Sequence, residues 1–199
     1  MKLRPCHLLL LFVPLVGLAV GCSQSTEPAR GPGGASGHLG LPMDIPEPCG
    51  LVTTVTLYAG QTIDVGTVVI ANDGENLCVT YNTTGDWYLT ENHLDIALSP
   101  EEIPQTNSGN PRPGQFSYSH VLSTPVQSDE HCFTLAELGY EPGTALFIAA
   151  HSKVVRQVNG TTVQSETAWG DGLPFPGANW ATYMEHTIQI CDGGGGEGE

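Results

Sequence analysis

Between Cys49 and Cys191 one pattern recurs: short runs of β-branched and aromatic residues in which apolar and polar side chains alternate, each stopped by Gly, Pro, Asn or Asp. A period of two sends successive side chains to opposite faces of an extended chain, whereas a helix would repeat every three or four residues. Residues 52–58 (VTTVTLY) mix β-branched and aromatic side chains, and 68–70 (VVI) are stopped by Asn72, Asp73 and Gly74. In 77–81, Leu77, Val79 and Tyr81 share one face. Residues 82–86 read as a hairpin turn into 87–89, and Leu94, Ile96 and Leu98 carry the alternation into a further strand. Strands are also expected at 116–121, 132–135, 145–158, 161–169 and 180–190, with Asn159-Gly160 as a type I′ hairpin signal. Only 135–139 (LAELG) suggests a helical turn.

Eight to ten short strands with no helical period between them predict an all-β fold, an antiparallel β-sandwich of immunoglobulin-like or jelly-roll-like kind. A closed β-barrel is the alternative. The expected folded unit is 49–191. Residues 22–48 are rich in Gly, Pro, Ser and Ala and have few large apolar side chains, so they cannot bury enough surface to offset the entropy of ordering. That stretch reads as a flexible linker, and the Gly/Glu tail 192–199 reads as disordered on the same grounds.

The first 21 residues read as a signal peptide. Lys2 and Arg4 form a positive start, and the apolar run 8–20 is long enough for a signal core but short for a bilayer span. The segment Leu18-Ala19-Val20-Gly21-Cys22 resembles the bacterial lipobox, although Ala19 stands where the family most often has Leu. The resemblance implies that Cys22 is lipidated and becomes the new N-terminus. Ordinary cleavage after Gly21 is the rival reading.

Cysteine parity separates the two. Cys6 leaves with the signal, so Cys22, Cys49, Cys78, Cys132 and Cys191 remain, an odd set for an exported domain. Lipid on Cys22 leaves four thiols for two bridges. The family resemblance implies more than one acyl chain at that cysteine, which is what stable anchoring requires. Ser23 after it implies the outer membrane or cell surface of a bacterial envelope. Three connectivities are open; neighbouring terminal strands would let Cys49 meet Cys191 and leave Cys78 for Cys132. Such bridges belong to an oxidising compartment.

Charge narrows the partners. The chain carries a formal charge of −15, and loss of Lys2 and Arg4 with the signal leaves four basic residues against 21 acidic ones. Such a surface repels phosphate backbones, which excludes nucleic acid as a natural partner. It is compatible with calcium, for which Asp73 and Glu75 are the candidate ligands, although Asn-Asp-Gly is primarily turn chemistry.

No HExxH, GxSxG, CxxC or EF-hand loop is present. His93 and Asp95 should project from one strand face, with His151 on an adjacent strand. They are either solvated strand ends or the dispersed ligands of a hydrolase or metal-dependent enzyme, which would require all three to converge. The other distinctive stretches place Trp169 and Trp180, followed by Tyr183, around a Gly/Pro-rich loop. Those aromatic residues either bind an extracellular glycan or protein, or cap the core beneath the loop.

At these residues the chain resembles a group of uncharacterised secreted domains of bacteria and archaea, which share the TAWG…NWATY ending (167–170 and 179–183) and the AGQ and VGTV segments (59–61 and 65–68). The resemblance spans nearly all of 51–190 and implies export without carrying an activity or a catalytic residue. The leading expectation is therefore a non-enzymatic binding or structural module without a cofactor, tethered to the membrane through its lipid.

Overall fold

The computed structural model describes residues 47–191. The signal peptide, Cys22, most of the linker and the 192–199 tail lie outside the described residues. Among the described residues no helix is long and apolar enough to cross a membrane.

Ten antiparallel strands form the fold: β1 Thr53–Ala59, β2 Ile63–Asn72, β3 Asn76–Thr83, β4 Trp87–Ala97, β5 Tyr118–Val126, β6 Ser128–Thr134, β7 Ala145–Val158, β8 Thr161–Gly170, β9 Leu173–Pro174 and β10 Thr182–Thr187. Eight of them follow one hydrogen-bonded path, β5-β4-β7-β8-β1-β2-β3-β6, and β10 adds to β7 while pairing with the short β9. The expected all-β, antiparallel class is thus present. Of the two architectures, the single path is nearer the barrel, because it curls until side chains of its end strands β5 and β6 meet.

That closure leaves a seam. β5 runs into β6 through Gln127 alone, and both β3–β4 and β5–β6 connections meet at this corner. Thr83 N donates to Gln127 O (2.8 Å) and Gln127 Nε2 donates to Gly85 O (2.8 Å). Beyond the corner, side chains rather than a backbone ladder link β5 to β6. Pro125 lies on β5, where a missing N–H is tolerated because an end strand has one unpaired edge.

Local sequence explains most of the elements. Asn159 and Gly160 have φ of 51° and 75°, the two left-handed positions a type I′ turn needs between β7 and β8. The expected helical turn is α1, Leu135–Leu138, which is closed at its start by a Thr134/Glu137 capping box and at its end by Gly139 in the left-handed region. Two 3₁₀ turns, Pro100–Glu102 and Pro113–Gln115, lie in the long connection from β4 to β5.

Several boundaries differ from expectation: β2 (Ile63–Asn72) starts earlier and β5 (Tyr118–Val126) ends later than 68–70 and 116–121 suggest, and three further differences have a local cause. The segments expected as separate strands around 87–89 and 94–98 are one strand, β4, because a bulge between Leu89 and Glu91 absorbs the break in alternation. β6 begins at Ser128, four residues earlier than its apolar end suggests. β10 begins only at Thr182, leaving Trp180 in the preceding loop.

The barrel interior holds Leu57, Leu77, Val79, Tyr81, Leu94, Leu146 and Ile148, all with no exposed surface. Tyr81 satisfies its hydroxyl by donating to the His93 carbonyl (3.0 Å). A second apolar cluster lies on the outer face of the sheet, where Ala149 and Trp169 meet Ile103 and Phe116 from the β4–β5 connection and Phe175 and Ala181 from the β9–β10 connection. Both disulfides are formed, Cys49–Cys191 and Cys78–Cys132. The first joins the two ends of the unit, and the second links directly opposed residues of β3 and β6.

Candidate functional site

The aromatic residues around the 170–182 loop occupy three environments. Trp169 is anchored by register, opposite Tyr58 on β1 and His151 on β7. It is only 5% exposed and meets Phe116, His151 and Phe175 edge-on, at centroid separations of 6.2, 4.8 and 6.4 Å. Trp180 is half-buried, and with Trp169 it lines a hollow of about 280 Å³ whose other walls are Tyr58, Gln61, Thr62, Asp171 and Thr182. Tyr183 turns into a neighbouring groove of about 230 Å³ with Val55, Leu173 and Met184. Trp169 is therefore both the centre of the outer cluster and the floor of the hollow.

Packing and strain hold the hollow in shape. Thr182 Oγ1 donates to Gly170 O (2.6 Å), and Asp171 N donates to Thr56 O (2.8 Å), so both ends of the loop are fastened to the sheet. Gln61, an exposed residue of the hollow's lining, has φ of 80°, a left-handed conformation that costs a side-chain-bearing residue energy. The result is an aromatic floor and wall with a polar edge, the chemistry that accepts a ring with hydroxyl groups on its margin.

His93 and His151 do meet. They are paired across β4 and β7 on the outer face, with ring centroids 5.5 Å apart. Asp95 shares their face, but its Oδ2 accepts from Ser117 N (2.8 Å) and Ser117 Oγ (3.2 Å). Burial raises its carboxyl above the ordinary value, and the Ser117 donors offset part of that rise. His93 Nε2 instead lies 2.5 Å from Glu91 Oε1, and Lys153 Nζ lies 2.6 Å from Glu91 Oε2. Lys153 and His93 hold the Glu91 carboxylate below its usual range despite its partial desolvation. His151, beside Trp169, is pushed down to about 3 by burial, with His93 and Lys153 adding to it. The two histidines and Asp95 thus share a face without sharing a ligand-binding point.

The turn at Asp73 uses its carboxylate locally. Oδ1 accepts from Glu75 N (2.8 Å) and Asn76 N (2.7 Å), which outweigh desolvation and keep the carboxyl below its usual range. The Glu75 side chain is exposed beside it.

A different polar group sits on the inward face at the β5–β6 seam. Asn92 of β4 and Ser152 of β7 are opposed in register and have no exposed surface. Ser152 Oγ donates to Asn92 Oδ1 (2.7 Å), and Asn92 Nδ2 donates to Asp129 Oδ2 (2.8 Å). His120 Nδ1 lies 3.0 Å from the same oxygen, and the His120 ring stacks on His131 at 4.0 Å. Just beyond, Tyr118 contacts Phe133 at 4.2 Å, completing the side-chain closure of the seam. His131 is 4% exposed, and its Nε2 is buried without a hydrogen-bond partner. Burial, then the adjacent His120, lowers its pKa to about 4.

Asp129 and His131 escape sequence reasoning because the strand expected there starts at residue 132, and His120, inside the strand expected at 116–121, has no partner visible from sequence. Asp129, His131 and Phe133 continue the alternation N-terminally on one face, and that period-two pattern was the available signal. Among the described residues a further ligand-type grouping, Cys78, Glu130 and Cys132, has its two sulfurs joined in the disulfide.

Comparison with known proteins finds no matching family model, no similar curated protein and no similar solved structure.

Proposed function

We propose that the chain is an exported, lipid-anchored module that binds an extracellular glycan without chemically transforming it, in the hollow floored by Trp169 and walled by Trp180 and Tyr58. The observation that carries the reading is the composition of that hollow, in which indole and phenol surfaces are edged by Gln61, Thr62, Asp171 and Thr182. A pyranose ring presents C–H groups to an aromatic face while its hydroxyls seek polar partners at the edge. Anchoring of the loop before binding limits the entropy that a ligand must offset.

The address comes from the lipobox resemblance at Cys22, the run 22–48 and the oxidised cysteines. Together they support display at the outer membrane or cell surface, with the module held away from the lipid on a tether. The strongly acidic chain disfavours anionic polymers, so neutral or basic glycans are the favoured class.

Tryptophan emission reports occupancy directly. Glycans selected on an array should change the intrinsic fluorescence on titration. Trp180→Ala should weaken the fitted affinity at least about tenfold, equivalent to roughly 1.4 kcal/mol, while leaving the far-ultraviolet dichroism and the urea midpoint of the folded protein nearly unchanged. Trp180 is the informative position because Trp169 also supports the outer cluster. Affinity unchanged by Trp180→Ala, or no glycan bound by the folded protein, contradicts the assignment.

A further inference from the structure

We propose that His120, Asp129 and His131 form a binding site for a divalent transition-metal ion of the zinc class, and that the ion fastens the open β5–β6 seam. One ligand atom from each residue lies within 4.8 Å of those of the other two, and the stacked imidazoles, their planes 21° apart, would turn towards the carboxylate to share a single ion. Two imidazoles and one carboxylate suit Zn²⁺ and its neighbours in the transition series better than Ca²⁺ or Mg²⁺, which favour all-oxygen sets.

Three observations support a built site over a chance meeting of polar groups. The first is His131 Nε2, one of three buried ring nitrogens with no hydrogen-bond partner among the described residues, and the one whose residue belongs to a cluster of ligand-type side chains. Such an orphan costs free energy unless something satisfies it. The second is the support behind the carboxylate, where Ser152 and Asn92, both fully buried, orient Asp129 through consecutive bonds of 2.7 and 2.8 Å. Metal-ligating carboxylates are commonly fixed by outer hydrogen bonds of this kind. The third is access: the His120 side chain is 46% exposed and that of Asp129 17%, so an ion can enter from solvent and keep water in a remaining position.

The placement gives the ion a mechanical consequence. His120 belongs to β5, and Asp129 and His131 belong to β6, the two ends of the strand path. Coordination would join strands that otherwise touch only through side chains there. The site lies on the inward face of the sheet, whereas Trp169 and the glycan hollow lie on the outer face, so the two readings stand independently.

The test uses the purified full chain without a histidine tag, stripped with a chelator and titrated with Zn²⁺ by calorimetry and with Co²⁺ by visible absorption. One equivalent should bind, the Co²⁺ complex should show the d–d bands of a four- or five-coordinate ion, and added Zn²⁺ should raise the melting temperature. His120→Ala alters a half-exposed side chain and should preserve the fold while weakening Zn²⁺ binding at least tenfold. Asn92→Ala, acting through Asp129, should weaken it roughly 10- to 100-fold. His93→Gln, on the outer face, should leave affinity unchanged. Absence of saturable binding, stoichiometric binding that survives His120→Ala, or equal loss in His93→Gln would overturn the proposal. Weak uptake of several equivalents without a Co²⁺ spectrum would do the same, as adventitious surface binding.

Discussion

Two buried histidines away from the seam make the folded state sensitive to acid. His151 is held down to about 3 by burial and by the nearby His93 and Lys153, opposed in part by Glu91. His186, whose Nδ1 lies 2.9 Å from Thr53 Oγ1, is held down to about 4 by burial alone. Both are 6% exposed or less. In the unfolded chain each should titrate near the ordinary histidine value of roughly 6.5. Below that pH the unfolded state takes up protons that the native state refuses, so stability present above about 6.5 is lost as pH falls towards 3–4. Each histidine contributes up to about 1.4 kcal/mol per pH unit across that window. Urea denaturation at a series of pH values should show a steepened fall below 6.5, and His186→Gln should remove part of the slope. A flat profile from pH 7 to 4.5 would contradict neutral burial of these rings.

At the scale of elements, the sequence was most legible where turn chemistry and alternation agreed. The β7–β8 hairpin follows from a fourteen-residue strand run that ends at Asn159-Gly160, and its observed boundaries match those expected to within one residue. β6 was harder to read because its first residues, Ser128, Asp129 and Glu130, are polar, and a polar start resembles a loop unless the inward face is known to be polar. The β4 bulge was equally hidden, since one inserted residue breaks the period locally without leaving a turn signal. The inward His–Asp group was therefore illegible until the barrel closed, whereas Trp169 and Trp180 were visible from composition alone.

The approach of β2 to β3 rests on a single glycine. Gly66 has φ of 151°, and a Cβ built there would lie 1.9 Å from the Asn82 carbonyl oxygen. Neither backbone can yield without disturbing the ladder that pairs Gly66 with Thr83 and Thr67 with Asn82. Gly66→Ala should lower unfolding stability by roughly 3 kcal/mol or more, read from the urea midpoint at constant slope. A change within about 0.5 kcal/mol would show that the strands are not held at this separation.

Over the whole molecule, cysteine placement links the fold to its compartment. Cys49–Cys191 ties together the ends of the unit across 142 residues, and Cys78–Cys132 closes a loop of 54. In the chain-entropy description, loops of this size favour the folded state by roughly 4 to 5 kcal/mol each. A reducing compartment would forfeit that contribution, so the bridges fit an exported chain. With four cysteines engaged and Cys6 in the expected signal peptide, Cys22 is left as the residue the lipobox resemblance assigns to lipid. Intact mass of the protein isolated from membranes, measured before and after reduction, tests export, anchoring and bridging together. The expected product begins at an acylated Cys22 and gains the four hydrogens of two reduced disulfides, about 4 Da. A product that retains Met1, carries no acyl chains and gains no mass on reduction would contradict the proposed anchored, oxidised module.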